Sequence, residues 1–312
     1  MEHYVTLFDK AYLPQGLALY NSMKLKVSSF SLWVVCMDDE TYHLLNNLNF
    51  KYLKCLRFSE YETKQLKEVK EERSKVEYYW TVTPFVADFV FQADQKIKRV
   101  TYIDADLWFL KDPQLIFDNF INSSKSVMIT NHGFLKEYDT SKEHGKYCVQ
   151  FIIFDKEKSA HIRKSWQNNC LEWCYARSEN GKFGDQKYLD EWPVLFSNEI
   201  YILENFEYSQ APWNSLKFDS KDAIFFHFHG LKIISLNSVL VGSYYLKEEA
   251  IENFYSPYLN DIRQSIDTIS QFKNNSIILQ GRKPNLLKEI ILKFYIALIV
   301  KRLKPARLIL KW

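Results

Sequence analysis

Through roughly the first 230 residues, apolar runs of five to seven residues alternate with longer segments of helical period, and this alternation restricts the chain to an α/β architecture. The candidate strands are 4–8, 32–37, 52–58, 100–103, 127–130, 151–154, 201–203 and 224–228. Helix starts are marked by Asp38-Asp39 before 41–48, by Thr83 before Pro84, and by Asp112 before Pro113. The last two pair a capping residue with a proline at the first helical position. With 312 residues, 47% of them hydrophobic, the chain can bury one large core or a main domain with an appendage.

The charge is too evenly divided, 41 basic against 38 acidic residues, for nucleic acid to be the partner of the whole chain. Cys36, Cys55, Cys148, Cys170 and Cys174 are scattered and odd in number, which fits reduced thiols rather than a disulfide framework. Cys170 and Cys174 stand four apart beside Trp166 and Trp173, a pattern read as helix packing ahead of metal binding. Met1 leads into an apolar strand without a basic leader, so the expected location is cytoplasmic. Sequons at Asn122 and Asn274 carry little weight in that setting.

Three passages carry chemistry. The segment 99–109, Arg-Val-Thr-Tyr-Ile-Asp-Ala-Asp-Leu-Trp-Phe, is an apolar strand ending in two carboxylates, Asp104 and Asp106. Alternation on a strand would put both on one face, where they can meet one Mn²⁺ or Mg²⁺ ion. Such a cation would stabilise charge growing on a departing diphosphate, and unit charges ~4 Å apart interact by roughly 4 kcal/mol at an effective dielectric of about 20. Asp-x-Asp alone is a common pattern, and a strand followed by a polar turn is its plain alternative. Next, Phe225-Phe226-His227-Phe228-His229-Gly230 is a second strand-like run ending in polar groups, with His227 as a candidate third ligand. Last, Gly181-Lys182-Phe183-Gly184-Asp185-Gln186 forms a glycine-bounded loop whose acid and amide can hold sugar hydroxyls, although Asp185 also suits a helix cap.

In this order the three passages resemble glycosyltransferase family 8, a group of retaining GT-A enzymes. The family pattern is a nucleotide-binding first strand, a Tyr-x-Asp-x-Asp strand, an Asp-Gln loop and a His-Phe-x-Gly strand. Here these read Tyr4 to Tyr12, Tyr102-Ile103-Asp104-Ala105-Asp106, Gly184-Asp185-Gln186 and His227-Phe228-His229-Gly230. Tyr79-Trp80-Thr81-Val82-Thr83-Pro84 and Ala211-Pro212-Trp213-Asn214 further resemble a bacterial subgroup of nucleotide-sugar transferases from surface-polysaccharide clusters.

The resemblance implies a GT-A fold, a mixed central sheet flanked by helices, with a UDP-sugar as donor, a divalent metal and a glycan or glycolipid acceptor. It implies Asp104, Asp106 and His227 as metal ligands, with Asp104 also contacting the nucleotide, and Asp185 and Gln186 beside the anomeric carbon. Asp9 and Tyr12 would meet uracil and ribose, and Lys232 the diphosphate. Asp88, on the helix where the family commonly carries a basic residue, joins the donor-binding set. Where the family usually shows Asn-x-Gly, this chain has Tyr147-Cys148-Val149-Gln150. Two other readings stand beside this one: a catalytically weak nucleotide-sugar-binding scaffold, and a phosphatase of the haloacid dehalogenase type, which also opens on Asp-x-Asp.

The expected domains are a catalytic unit over 1–245 and a helical extension over 246–312. Within the extension, 282–311 holds nine basic residues against Glu289 alone, interleaved with Leu287, Ile290, Ile291 and Phe294. Its longest uncharged run, 294–300, is far short of the ~20 residues that span a bilayer. The segment 283–312 therefore reads as a helix lying on an anionic membrane surface, placing the protein on the cytoplasmic face of the inner membrane.

Overall fold

Strands made of uninterrupted apolar residues must be covered on both faces, and the second strand of the chain, Phe30–Cys36, has every residue buried. The computed structural model describes residues 1–242, 244–272, 278–280 and 309–311. Its strands begin with β1 (Glu2–Phe8), β2 (Phe30–Cys36), β3 (Leu53–Arg57), β4 (Arg99–Ile103), β5 (Leu107–Phe109), β6 (Val127–Asn131) and β7 (Tyr147–Asp155). They continue with β8 (Ile200–Leu203), β9 (Ser209–Gln210), β10 (Phe225–His227), β11 (Lys232–Ser235), β12 (Ser238–Leu240) and β13 (Ile309–Lys311).

The central sheet has seven strands in the order β3-β2-β1-β4-β7-β6-β8. Only β7 runs against its neighbours, pairing antiparallel with both β4 and β6. One core layer lies between the sheet and helices that include Val86–Ala93 and Ala160–Glu172, and a second packs the opposite face against Leu13–Lys26. This is the mixed α/β architecture expected from the sequence. Two three-stranded sheets, β5-β10-β9 and β11-β12-β13, stand beside it.

The helix expected to begin at Thr83 begins earlier. Ser74 and Glu77 form a reciprocal cap, with Glu77 accepting from the Ser74 N–H at 2.8 Å, and the helix Lys75–Val82 comes next. Pro84 lacks an N–H, so the chain tightens into the 3-10 turn Thr83–Phe85 before resuming as Val86–Ala93. Asp38 caps as its sequence position indicates, accepting from Thr41 N at 2.7 Å; the helix expected after Asp112 starts one residue later, at Gln114 with Pro113 at its N-cap, and Asp112 still accepts from Gln114 N at 2.9 Å. Both Cys170 and Cys174 are fully buried in the core, in keeping with packing.

The helix Ser256–Ser270 packs against the body through Trp108, Phe228, Tyr255 and Tyr258. Trp108 Nε1 donates to Asp261 at 2.7 Å, and the Phe228 and Tyr258 rings stack at 3.6 Å. Among the described residues no helix is long and apolar enough to cross a membrane. Most of the basic segment 283–312 lies outside the described residues. Its Ile309–Lys311 is a strand, paired antiparallel with β12, and so departs from a helix running to the terminus. β12 is paired with β11 on one side, and its other edge supplies the backbone donors and acceptors that β13 satisfies.

Candidate active site

The two carboxylates converge by a turn rather than by strand alternation. β4 ends at Ile103, and Asp104, Ala105 and Asp106 make a tight corner closed by Leu107 N donating to Asp104 O at 3.2 Å. After the corner the chain enters β5, which β10 pairs antiparallel, setting His227 opposite Leu107. Phe228 N donates to Asp106 O at 2.9 Å, extending that pairing into the corner. A histidine remote in sequence is thereby delivered to the carboxylates by backbone register alone.

His227 Nε2 lies 3.2 Å from Asp106 Oδ1 and 3.6 Å from Asp104 Oδ2. One ligand atom from each of the three residues falls within 4.8 Å of the others. Adjacent ligands of an octahedral Mg²⁺ or Mn²⁺ stand about 3 Å apart, so the cluster fits one hard divalent cation with positions left for a substrate. The side chains are recessed, 27% exposed for Asp104, 17% for Asp106 and 6% for His227.

Electrostatics differentiates the pair. Burial raises the Asp104 carboxyl and the neighbouring Asp106 charge adds to it, against the pull of His227. For Asp106 burial also pushes upward, but the His227 charge and hydrogen bond outweigh it and hold that carboxyl low. His227 meets the opposite balance: burial disfavours its charge, yet the carboxylates and the Cys148 thiol hold the imidazolium well above its ordinary range. His229 stands beside it with its ring centroid 5.7 Å from that of His227, and is pushed down to about 4 by desolvation and by the His227 charge. Trp213 sets an edge against both imidazoles and is itself anchored through Nε1 to His132 O at 2.7 Å.

Asp185 lies close enough to the cluster to feel the Asp104 charge. It is 7% exposed, and burial followed by the Asp104 charge pushes its carboxyl up to about 8. Its backbone is pinned by Trp166 Nε1, which donates to Asp185 O at 2.8 Å. Gly184 precedes it at φ +51°, where a Cβ would come within 3.2 Å of the Trp80 ring, so the loop needs glycine for both conformation and space. Gln186 Nε2 donates to His144 O at 2.9 Å, tying the loop to the short helix Ser141–His144.

Asp9 caps the 3-10 turn Lys10–Tyr12 and is nearly spoken for, accepting from Ala11 N at 2.9 Å and from Tyr79 OH at 2.8 Å and pairing with Lys75. Tyr12 is 40% exposed over the whole residue, while desolvation of its phenol and then the Asp106, Asp104 and Asp9 charges raise it, so the hydroxyl end lies near those carboxylates. Lys232 opens β11 with its side chain exposed, a short turn past His229. Asp88 is drawn elsewhere: it accepts from Arg163 Nε at 2.8 Å and from Gln167 Nε2 at 2.6 Å, joining two helices of the scaffold. A carboxylate beside a buried guanidinium is satisfied there, which gives it no call on a phosphate.

Sequence reasoning missed the groups that orient the cluster. Tyr102 OH donates to Asp104 Oδ1 at 2.7 Å, and Gln150 Oε1 lies 2.7 Å from His227 Nδ1. A signal was present for Gln150, a lone amide in the apolar strand β7.

No protein-family profile matches the chain. It is 32% identical over 253 residues to the uncharacterized protein YfnF of Bacillus subtilis (strain 168), covering 76% of this chain and 84% of YfnF. The chain belongs to the YfnF family. The uncharacterized protein YfnD of the same organism is 26% identical over 287 residues, 86% of this chain and 90% of YfnD. Among solved structures, the galactosyltransferase LgtC in complex with donor and acceptor sugar analogs aligns with a TM-score of 0.53 at 10% identity, covering 84% of this chain and 95% of LgtC. The glycosyltransferase GlyE of Streptococcus pneumoniae TIGR4 gives 0.52 at 14% identity over 90% and 66% of the two chains. Mouse xyloside xylosyltransferase 1 gives 0.51 at 12% over 73% and 98%. The fold of this YfnF-family chain is that of the GT-A glycosyltransferases.

Proposed function

We propose that the chain is a metal-dependent, retaining glycosyltransferase of the family 8 kind, moving a hexose or N-acetylhexosamine from a UDP-sugar to a glycan acceptor. The observation that carries the reading is the convergence of Asp104, Asp106 and His227 on one point at the end of β4, with the buried Asp185 near enough to be raised by the Asp104 charge. Ligands in such α/β sheets bind beyond the carboxyl ends of the strands, where this cluster lies.

In this reading Asp104, Asp106 and His227 hold the cation, which as a Lewis acid neutralises charge on the donor's diphosphate. The side chains of the protein do the rest. Tyr12 and Asp9 line the nucleotide side of the cleft, and Lys232 adds a positive charge for phosphate. Asp185, buried and next to Asp104, orients the sugar at the reacting carbon, while Gln186 holds the loop that presents it. Recessing Asp104, Asp106, His227 and Asp185 strengthens the electrostatic contacts they make with the transition state.

Incubation with UDP-Glc, UDP-Gal, UDP-GlcNAc and UDP-GalNAc tests the reading. Mn²⁺-dependent UDP release from at least one donor is expected, and NMR of the first product should show the donor's anomeric configuration preserved. Failure of all four donors would favour the non-catalytic scaffold, and an inverted product would remove the retaining assignment.

The basic run at 282–311 favours a lipid-linked acceptor, as in surface-polysaccharide or lipopolysaccharide assembly on the cytoplasmic face of the inner membrane. Each Lys or Arg near an anionic surface contributes about 1 kcal/mol of attraction. Removal of 283–312 is expected to release the protein from vesicles containing phosphatidylglycerol while donor hydrolysis continues. Equal sedimentation of the full and truncated chains would end the membrane proposal.

A further inference from the structure

We propose that Gln150 is the residue that positions His227 for the cation, an inference that rests on the metal-dependent reading above. Gln150 lies on β7 and is fully buried. From this one residue two of the three members of the cluster are held: its carbonyl accepts from Asp104 N at 3.1 Å, and its side chain meets His227 Nδ1 at 2.7 Å. β7 is thus the element that joins the β4 corner to the end of β10.

The chemistry selects one orientation of the amide. With Oε1 toward the ring, Gln150 accepts from Nδ1–H, and the lone pair of the His227 Nε2 is left pointing at the carboxylates, where a cation would sit. Turned over, the amide would offer N–H to Nδ1 and drive the ring proton onto Nε2, the atom required as ligand. The same contact serves whether or not Nε2 carries a proton, because Nδ1 is a donor in both cases, so loading a cation requires no rearrangement of Gln150.

Packing does not explain a glutamine at this point. Its Nε2 is buried without a hydrogen-bond partner among the described residues. A stranded donor costs about 1 to 3 kcal/mol, and leucine or methionine would fill the same apolar strand without that cost. The retained acceptor is therefore the functional end. Gln150 does not touch the reacting atoms; it acts through His227.

The test uses the full chain and Mn²⁺ alone, titrated by electron paramagnetic resonance of the free ion. Gln150→Leu and Gln150→Met are expected to raise the Mn²⁺ dissociation constant by about 10- to 100-fold with little net change in thermal stability, since relief of the stranded Gln150 Nε2 offsets the acceptor lost by His227 Nδ1–H. Gln150→Glu, which restores an acceptor, should return it to within about 3-fold of the starting protein. Long-range ¹⁵N–¹H spectra of the Mg²⁺-loaded starting protein should show His227 protonated at Nδ1, and this readout needs no variant. Unchanged Mn²⁺ affinity in both apolar variants, or a bare Nδ1 in the starting protein, overturns the role of Gln150 while leaving the cation site standing. Absence of Mn²⁺ binding by the starting protein would instead remove the metal-dependent reading, and this inference with it.

Discussion

Asp104→Asn and Asp106→Asn are each expected to lower the turnover of the UDP-sugar by about 10³-fold or more, with the folded structure retained. A ligand that acts mainly on charge developing in the transition state contributes several kcal/mol, and each 1.36 kcal/mol is about tenfold in rate. Stability should survive because each variant leaves one carboxylate against His227, a balanced pair. Asp104→Asn also keeps an oxygen for the Tyr102 hydroxyl, which donates to Asp104 at 2.7 Å. Burial and the Asp106 charge already disfavour ionised Asp104, so its neutral replacement should melt no earlier than the starting protein when no cation is added. Single-turnover rates and melting curves together check this. Turnover within a few-fold of the starting protein in either variant would refute the assignment of metal ligands.

Asp185→Asn is expected to divide activity from stability. Its carboxyl is pushed up to about 8 in the fold by burial and by Asp104, whereas an aspartate in the unfolded chain titrates near ~4. With the folded value above the unfolded one, the unfolded chain gives up this proton first as pH rises. Stability of the cation-free protein therefore declines from about pH 4 through about pH 8, and the deficit is complete above that. Asparagine removes the titration, so the variant should melt higher than the starting protein at pH 9 and lose that advantage toward pH 4. Its turnover at pH 9, where the carboxyl of the starting protein is ionised, should fall by at least about 10²-fold, because the charge proposed to act at the reacting carbon is replaced by a neutral dipole. Chemical denaturation at pH 5 and pH 9, with kinetics on the same samples, measures both. A variant no more stable at pH 9, or one with undiminished turnover, would contradict the placement of Asp185.

Sites of this kind show why stability and function are read together. Asp104, Asp106 and Asp185 are three acids gathered around one recess, and His227 is the cation opposing them. Such a gathering of buried acids is a cost to the metal-free fold, and under the proposed metal-dependent reading it is an advantage for binding a divalent ion. The surrounding contacts hold that arrangement in place: Tyr102 on Asp104, Gln150 on His227, and Trp166 on the backbone of Asp185.

The amino-acid sequence by itself determined the α/β class, because alternating apolar runs and capped helices are local consequences of residue order. It also located most strands of the central sheet and the Asp104, Asp106, Asp185 and His227 side chains as candidates. It did not reveal β5, β9, β11, β12 and β13, which are short and, unlike β8 and β10, are not set off as separate apolar runs. The corner at Asp104–Asp106 was read as a strand because the need for so tight a turn arises later in the chain: β5 must leave the central sheet to meet β10. Asp88 looked like a donor contact and proved to be the partner of Arg163, since the helix that carries Arg163 packs beside it only in the folded protein. Gln150 stood in an apolar strand without visible purpose until β7 was laid between β4 and the end of β10. Local patterns depend on neighbours along the chain, whereas hydrogen-bond partners and buried charges depend on neighbours in space, and those are assigned only by strand register and packing.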